Sequence, residues 1–287
     1  MGKRHGRVGV LAGGMSEERE ISLHSGEAVA NALRRRGYDV VEIDVGRDLP
    51  QKLFAASVDQ CWIALHGRYG EDGCVQGVLA SAVAMDKNAT KRMVRKCPGV
   101  VMAPDRVVRR GERRPRVTYP VVVKPMVAGS TLGITIARTR KELERGLEVA
   151  FALGDAVLLE AFVQGDEITV AVLDGEALPV VRIVPDSGFF DFDAKYTKGR
   201  TRYEVPAPIS AAATAAARSA AVEVYRTIGC RGLARADFIV RADDDVPIFL
   251  EINTIPGMTE TSLSPMAAKA VGVSFDDLVE RVLPLHE

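Results

Sequence analysis

The chain has 287 residues, 47% of them hydrophobic and 26% charged, with 38 Lys and Arg against 38 Asp and Glu. That length allows about two or three domains around real cores. The balanced charge gives no electrostatic case for nucleic acid or an acidic membrane as partner, and no apolar run approaches the roughly 20 residues of a membrane helix. The four cysteines, Cys61, Cys74, Cys97 and Cys230, stand apart without CxxC spacing, which fits a reducing cytoplasm and argues against a zinc site.

"MGKRHGRVGVLAGG" starts basic, but its apolar run is short and ends on a Gly pair, so it reads as a first strand rather than a signal peptide. "SEEREISLHSGEAVANALRRRGYDVVEIDV" continues as helix, stop at Gly37 and second strand, and "QCWIALHG" is a further strand ending in a turn. Alternating strands and helices predict a parallel sheet whose ligands gather at the carboxyl ends of the strands. Both "AGGMSEERE" and "LHGRYGEDG" lie at such ends.

The middle of the chain reads differently. "YPVVVKP" is an apolar strand closed by Lys124 and Pro125, followed by the small, polar "VAGSTLG". A Lys beside a small-residue loop can meet phosphates through its ammonium and backbone N–H groups, although the loop lacks the Walker pattern and a solvated strand-end Lys reads equally well. Thr139 to Glu142 is a capping box opening a helix to about Leu153. "AVLLEAFV" and "DEITVAVLDGEALPVVRIV" read as strands, with Asp174-Gly175 a hairpin signal. "SGFFDFDAKYTKGRTRYEVP" has no period and reads as a loop. Ser210 caps an Ala-rich helix that ends at Gly229, and Ser274 caps the last helix, "FDDLVERVL".

The strands "LARADFIV" and "PIFLEIN" carry the sharpest chemistry. Arg235 and Asp237 lie two apart, as do Glu251 and Asn253, so each pair shares a strand face. If the strands pair, one patch holds all four. Three oxygen donors without His or Cys suit Mg²⁺, which completes its shell with water and phosphate oxygens. The plainer alternative is a buried Arg235 salt bridge with Asp237 or Glu251, beside a satisfied Asn.

Together, "GGMSEEREISLHSG", "ALHGRYGEDG", "MDK", "VVVKP", "SGFFDFDAKY", "RGLARADFIV" and "LEINTIPGMTETSLSPMAA" resemble ATP-grasp enzymes and, more narrowly, the D-alanine–D-alanine ligase family. The motifs stand in that family's order and span nearly the whole chain. The resemblance implies an α/β protein, α+β in its ATP-binding part: an ATP-grasp fold behind an N-terminal Rossmann-like parallel sheet. The implied division is 1–86 for the Rossmann-like domain, 87–164 for the central ATP-grasp subdomain and 165–287 for the C-terminal ATP-grasp domain.

The resemblance also implies roles. Asp237, Glu251 and Asn253 hold two Mg²⁺ ions, with Mn²⁺ able to substitute, against the phosphates of ATP; Lys87, Lys124 and Lys195 contact those phosphates. Glu160 and the backbone of Ala161 and Val163 meet the adenine, Glu167 the ribose, while Ile239 and Leu250 wall the base. Glu18 takes the ammonium of the first D-alanine, with His66 close by. Arg235 and the Gly257 backbone stabilise the oxyanion, Ser262 and Leu263 bind the second carboxylate, and Ser130 and Tyr196 join Glu18 in a hydrogen-bonded set that holds a loop closed. Tyr196, where enzymes accepting D-lactate usually carry Phe, favours a dipeptide product. A cytoplasmic homodimer with D-alanine and ATP as its small-molecule partners, without nucleic acid or membrane, completes the expectation. Singly, Glu18 reads as a solvated charge at a helix start, His66 and Ser130 as turn residues, and Tyr196 as a packed loop aromatic.

The sequence departs from the family pattern in places. After "GEDGCVQG" a helix and a strand are absent before "VLASAVAMDK", and the stretch from "MAPD" to "YPVVVKP" is short and basic. The expectation is numbering closed over residues that belong to the protein; the alternative is real deletion, which would remove a strand from the first sheet and put activity in doubt. Competing readings are another ATP-grasp carboxylate–amine ligase, such as one joining D-alanine to a D-hydroxy acid, and a catalytically impaired Mg-ATP-binding homologue. Weakest is a dinucleotide-binding protein, since "VGVLAGG" lacks GxGxxG and only Asp44 ends the next strand with an acid.

Overall fold

A computed structural model describes residues 7–46, 48–56, 58, 60–67, 70, 83–113, 116–126, 131–186 and 199–283. The first sheet is parallel, in the order β2-β1-β3, from β1 (Arg7–Gly13), β2 (Asp39–Val45) and β3 (Gln60–Ile63). The central β1 is buried after its first residue, as a parallel strand covered on both faces should be. Helix α1 (Arg19–Arg35) joins β1 to β2 and lays Val29, Ala30 and Leu33 on the sheet. It can approach because Gly26 has no side chain: a Cβ there would stand 2.4 Å from that of Ala12. Helix α2 (Leu49–Ala56), which the sequence reading leaves unassigned, leads towards β3.

Helix α3 (Lys87–Val94) opens at Asp86, whose carboxylate accepts from the N–H groups of Asn88 and Ala89. The second sheet is antiparallel: β4 (Asp105–Arg109), β5 (Val121–Pro125), β6 (Thr135–Ala137) and β7 (Ala156–Ala161), in the order β4-β7-β5-β6. Helix α4 (Arg140–Ala152) covers it through Leu143, Leu147 and Ala150. Thr139 caps α4 as expected, accepting from Glu142 N at 3.3 Å, while Glu142 reaches back to Arg138 N at 2.7 Å. The basic stretch after "MAPD", to which the sequence reading assigns no element, begins in an edge strand, Asp105–Arg109, with Arg106 and Arg109 exposed while Val108 enters the core.

The third sheet holds β8 (Gly165–Leu173), β9 (Glu176–Ala177), β10 (Val181–Pro185), β11 (Thr201–Glu204), β12 (Leu233–Arg241) and β13 (Pro247–Asn253), in the order β11-β10-β8-β12-β13 with β9 on β8. The expected Asp174-Gly175 hairpin is present, both residues at positive φ, as a primed turn needs. The predicted loop is partly wrong, because 201–204 pairs with β10 as an edge strand. Helix α5 (Ala211–Ile228), capped by Ser210 and ended by left-handed Gly229, sets its alanines against Phe238 and Phe249, an edge-to-face pair 5.7 Å apart.

Helix α6 (Leu263–Lys269) packs against α7 (Phe275–Val282), which returns to α1. Val8, Leu33, Ala171, Met258, Leu278 and Val279 share one core, which fastens the first sheet to the third. Among the described residues no helix is long and apolar enough to cross a membrane. The architecture is α/β at the N-terminus and α+β beyond it.

Candidate active site

A cavity of about 510 Å³ lies between the second and third sheets, within the range of small-molecule sites. Val122, Ile134 and Ile136 form one wall and Ile239 and Leu250 the other, with the connector from Ala161 through Val163 to Glu167 along its edge. The wall depends on a β-bulge. Asp237 pairs with Glu251 but Phe238 pairs with Phe249, so Leu250 is an extra residue in β13. Strict alternation would turn Leu250 away from the face of Glu251; the bulge re-aims it so that both line the cavity.

Pairing of β12 with β13 brings together the patch that the two-residue spacings predict, with Arg235 opposite Asn253 and Asp237 opposite Glu251. Buried Asp237 is held by four donors. Its Oδ1 accepts from Arg235 Nε at 2.9 Å and Thr169 Oγ1 at 2.6 Å; its Oδ2 accepts from Arg235 Nη2 at 2.9 Å and Asn253 Nδ2 at 3.1 Å. The plain Arg235–Asp237 ion pair is thus present, within a network that also contains Asn253. Lys87 Nζ lies 3.3 Å from Glu251 Oε2. Sequence reasoning misses Thr169, although it lies two residues from Glu167 on the same face of β8 and opposite Asp237.

Glu160, at the end of β7, is nearly inaccessible. Its two carboxylate oxygens take one ammonium each, from Lys91 and Lys124. Burial pushes this carboxyl up, but the two lysines outweigh it and hold the group below its usual value. Lys91 also lies 3.3 Å from Asp105 Oδ2. The sequence reading misses Lys91 and Asp105; the available signal is the spacing of Lys87 and Lys91, which shares a helix face.

Glu18 and His66 meet beyond the ends of β1 and β3. Glu18 flanks the start of α1, and its carboxylate lies against Gly67, where a Cβ would stand 2.7 Å from Oε2. Ser16 Oγ donates to the His66 carbonyl at 2.6 Å, and His66 Nε2 lies 3.2 Å from Ser25 Oγ. Burial, helped by the charge of Arg235, lowers the His66 pKa to about 4, so the ring is neutral near pH 7. Gly257 lies close to Ser262, whose Oγ accepts from Thr259 N at 3.1 Å. The Leu263 side chain belongs to the core, leaving its backbone at the start of α6 as the part able to bind. Ser130, Lys195 and Tyr196 lie outside the described residues. Asp44, the acid that a dinucleotide site would use, is gripped through both oxygens by Arg19 at 2.7 Å each.

Residues 100–284 match the family described as D-ala D-ala ligase C-terminus. A D-alanine–D-alanine ligase of Syntrophotalea carbinolica is 50% identical over 293 residues, covering 96% of this chain and 95% of that protein. One from Geobacter sulfurreducens is 46% identical over 295 residues, covering 96% and 93%. The solved D-alanine–D-alanine ligase of Bacillus anthracis complexed with ATP superposes with a TM-score of 0.84 at 29% identity, covering 97% of this chain and 96% of that one. The VanG D-Ala:D-Ser ligase of Enterococcus faecalis gives 0.82 at 29%, covering 97% and 98%. The first alignment spans 293 positions while using 96% of the 287 residues of this chain, so the chain is gapped relative to that protein.

Proposed function

The chain belongs to the D-alanine–D-alanine ligase family, whose members join two D-alanine molecules with ATP for peptidoglycan precursors, and from that premise we propose how its residues divide the work. ATP lies in the cavity between the two antiparallel sheets, its base between Ile239 and Leu250 and against the connector at Ala161 and Val163. Glu160 flanks the adenine, Glu167 faces the ribose, and Lys87, Lys124 and Lys195 meet the phosphates. The proposed division of the chain into 1–86, 87–164 and 165–287 follows the three sheets.

The donor set at the cavity's acidic end fits Mg²⁺: Asp237, Glu251 and the Asn253 amide present hard oxygens from paired strands, with neither His nor Cys among them. Those three would hold it. When bound, the metal supplies positive charge to the ATP phosphates. Thr169 and Arg235 fix the plane of the Asp237 carboxylate, as outer partners of ligands commonly do.

Glu18 binds the ammonium of the first D-alanine, and neutral His66 stands beside it without adding a competing cation. The substrate carboxylate attacks the γ-phosphoryl of ATP, giving D-alanyl phosphate and ADP. The amine of the second D-alanine, its carboxylate held by Ser262 and the Leu263 backbone, then attacks the acyl carbon, and phosphate leaves. Arg235 and the Gly257 backbone carry the oxyanion. Ser130 and Tyr196 with Glu18 hold the closing loop that keeps water out. No covalent protein intermediate is needed; the chain supplies position and charge. The enzyme works as a homodimer in the cytoplasm, as the resemblance implies.

The observation that supports this most directly is the β12–β13 pairing, which gathers Arg235, Asp237, Glu251 and Asn253 beside the cavity. ADP release is followed with D-alanine, D-serine and D-lactate as substrates, together with the Arg235→Ala and Glu251→Ala variants. D-Alanine supports release, and Arg235→Ala loses about 10²–10³ in rate, as expected for an oxyanion donor. Wild-type rates in both variants would overturn the assignments, and faster ADP release with D-alanine plus D-serine or D-lactate would redefine the second substrate.

A further inference from the structure

Two buried carboxylates face each other directly across the β4–β7 ladder, Asp105 opposite Glu160. Their side chains are 8% and 2% exposed. Like charges in opposed strand positions repel, and burial makes each costly unless it is paired. The cation against both is Lys91, itself 2% exposed, which reaches Glu160 Oε1 and lies 3.3 Å from Asp105 Oδ2. Arg95 adds a contact to Asp105 from outside at 3.0 Å. The second oxygen of Glu160 holds Lys124, which lines the ATP cavity.

We propose that Lys91 is a positioning residue for the triphosphate: by neutralising Glu160 from its buried side, it leaves Lys124 able to hold ATP phosphate. The inference rests on the placement of Lys124 against the phosphates. Removing the Lys91 charge leaves Asp105 and Glu160 buried together, with Lys124 as the remaining partner of Glu160. Lys124 is then drawn wholly onto that carboxylate and its field at the cavity is cancelled. Fold stability alone is a poor explanation for the cluster, because replacing a buried ion group by apolar residues of similar volume is often neutral or stabilising. The position of Lys91 adds to the argument. It stands one turn from Lys87 on α3, and Lys87 reaches Glu251 on the opposite sheet. One short helix therefore fixes charged groups on both walls of the cavity.

The experiment is a double-mutant cycle on the full chain with Lys91→Met, Glu160→Gln and their combination. It reads the ATP dissociation constant by calorimetry in Mg²⁺, and KM and kcat for ADP release. Lys91→Met raises the ATP dissociation constant and KM about 10–100-fold, by analogy with the loss of an outer partner of a metal ligand, while kcat at saturating ATP is largely kept. In the Glu160→Gln background the same substitution has no effect on ATP affinity, because no carboxylate remains to capture Lys124. Equal losses in both backgrounds, or an unchanged ATP affinity in Lys91→Met, overturn the proposal. Should Lys91→Met alone fail to fold, Glu160→Gln against the double variant decides it, equal ATP affinities supporting the proposal and a weaker double variant overturning it. Lys124→Met separates the two levels: unchanged ATP binding there sinks the phosphate assignment itself, whereas a loss there with none in Lys91→Met sinks this inference alone.

Discussion

Replacing Thr169 by Val removes one hydroxyl from beneath Asp237 and changes little else in shape. Thr169 Oγ1 donates to Asp237 Oδ1 at 2.6 Å and lies 3.3 Å from the Ala236 carbonyl, in a fully buried position. A hydrogen bond to a charged group contributes about 1.5–3 kcal/mol. At about 2–4 °C per kcal/mol for domains of this size, melting should fall by roughly 3–12 °C. The effect on Mg²⁺ has two opposing parts. Losing a donor frees a lone pair on Oδ1, which would help a cation, but it also loosens the plane of the carboxylate. The second part should dominate, because three donors still hold Asp237 and outer partners are typically worth 10–100-fold in metal affinity. The assay is ADP release titrated with Mg²⁺, beside thermal melts without the metal. The half-saturating Mg²⁺ concentration rises and excess metal restores the rate. A variant that melts like the wild type and needs no more Mg²⁺ would refute Thr169 as the residue that orients Asp237.

Asn253→Asp puts a second carboxylate against Asp237 in place of an N–H donor; melting without Mg²⁺ falls, and the rise on adding Mg²⁺ exceeds that of the wild type, as binding to the folded state alone requires. No larger Mg²⁺ response would contradict the ligand assignment. His66, lowered from 6.5 to about 4, takes up its proton in the unfolded chain first, so stability is present above about 6.5 and is lost as pH falls towards 4, by on the order of 3 kcal/mol; His66→Gln flattens that window in pH-dependent denaturation, and an NMR titration midpoint near 6.5 would refute the shift. Gly165→Ala brings a Cβ to 1.9 Å from the Val240 carbonyl at the cavity edge, so both melting temperature and ATP affinity fall; wild-type values for both in melts and calorimetry would show that the β8–β12 ladder yields there.

The parts legible in the sequence are those whose signal is local. Ser210 and Ser274 before apolar-periodic runs, Gly229 after one, and Asp174-Gly175 between strands each fix their own backbone, and each element appears where expected. The period-2 spacing of Arg235 with Asp237 and of Glu251 with Asn253 survives pairing because neighbouring strands preserve face. Elements that owe their form to partners were invisible. The strand Asp105–Arg109 is rich in arginine, because an edge strand can turn its charges outwards; only its register against β7 makes it a strand. Thr201–Glu204 is likewise a strand through β10 alone. Thr169 and Lys91 share this limitation: spacing shows the face each shares with Glu167 or Lys87, but the buried carboxylate that gives each its role comes only from the fold.

The cations and carboxylates of the site form a single pattern. Arg235 rests on Asp237, Lys87 on Glu251 and Lys124 on Glu160, so three groups proposed to serve substrate charge already lie beside an anion. Isolated cations buried in such a cavity would be costly, and flexible ones in water would have to be ordered during reaction. Holding each against a carboxylate avoids both costs and leaves the positive charges oriented before substrate enters, the condition under which electrostatic stabilisation is most effective. Asp237 and Glu251, the carboxylates that would hold the metal, are thus the same groups that orient Arg235 and Lys87. Glu160 differs because its second oxygen has a protein cation of its own: with Lys91 on Oε1, Lys124 can turn to phosphate without leaving a buried carboxylate unbalanced. The same charge arithmetic accounts for the second lysine on Glu160, the most deeply buried of the three carboxylates.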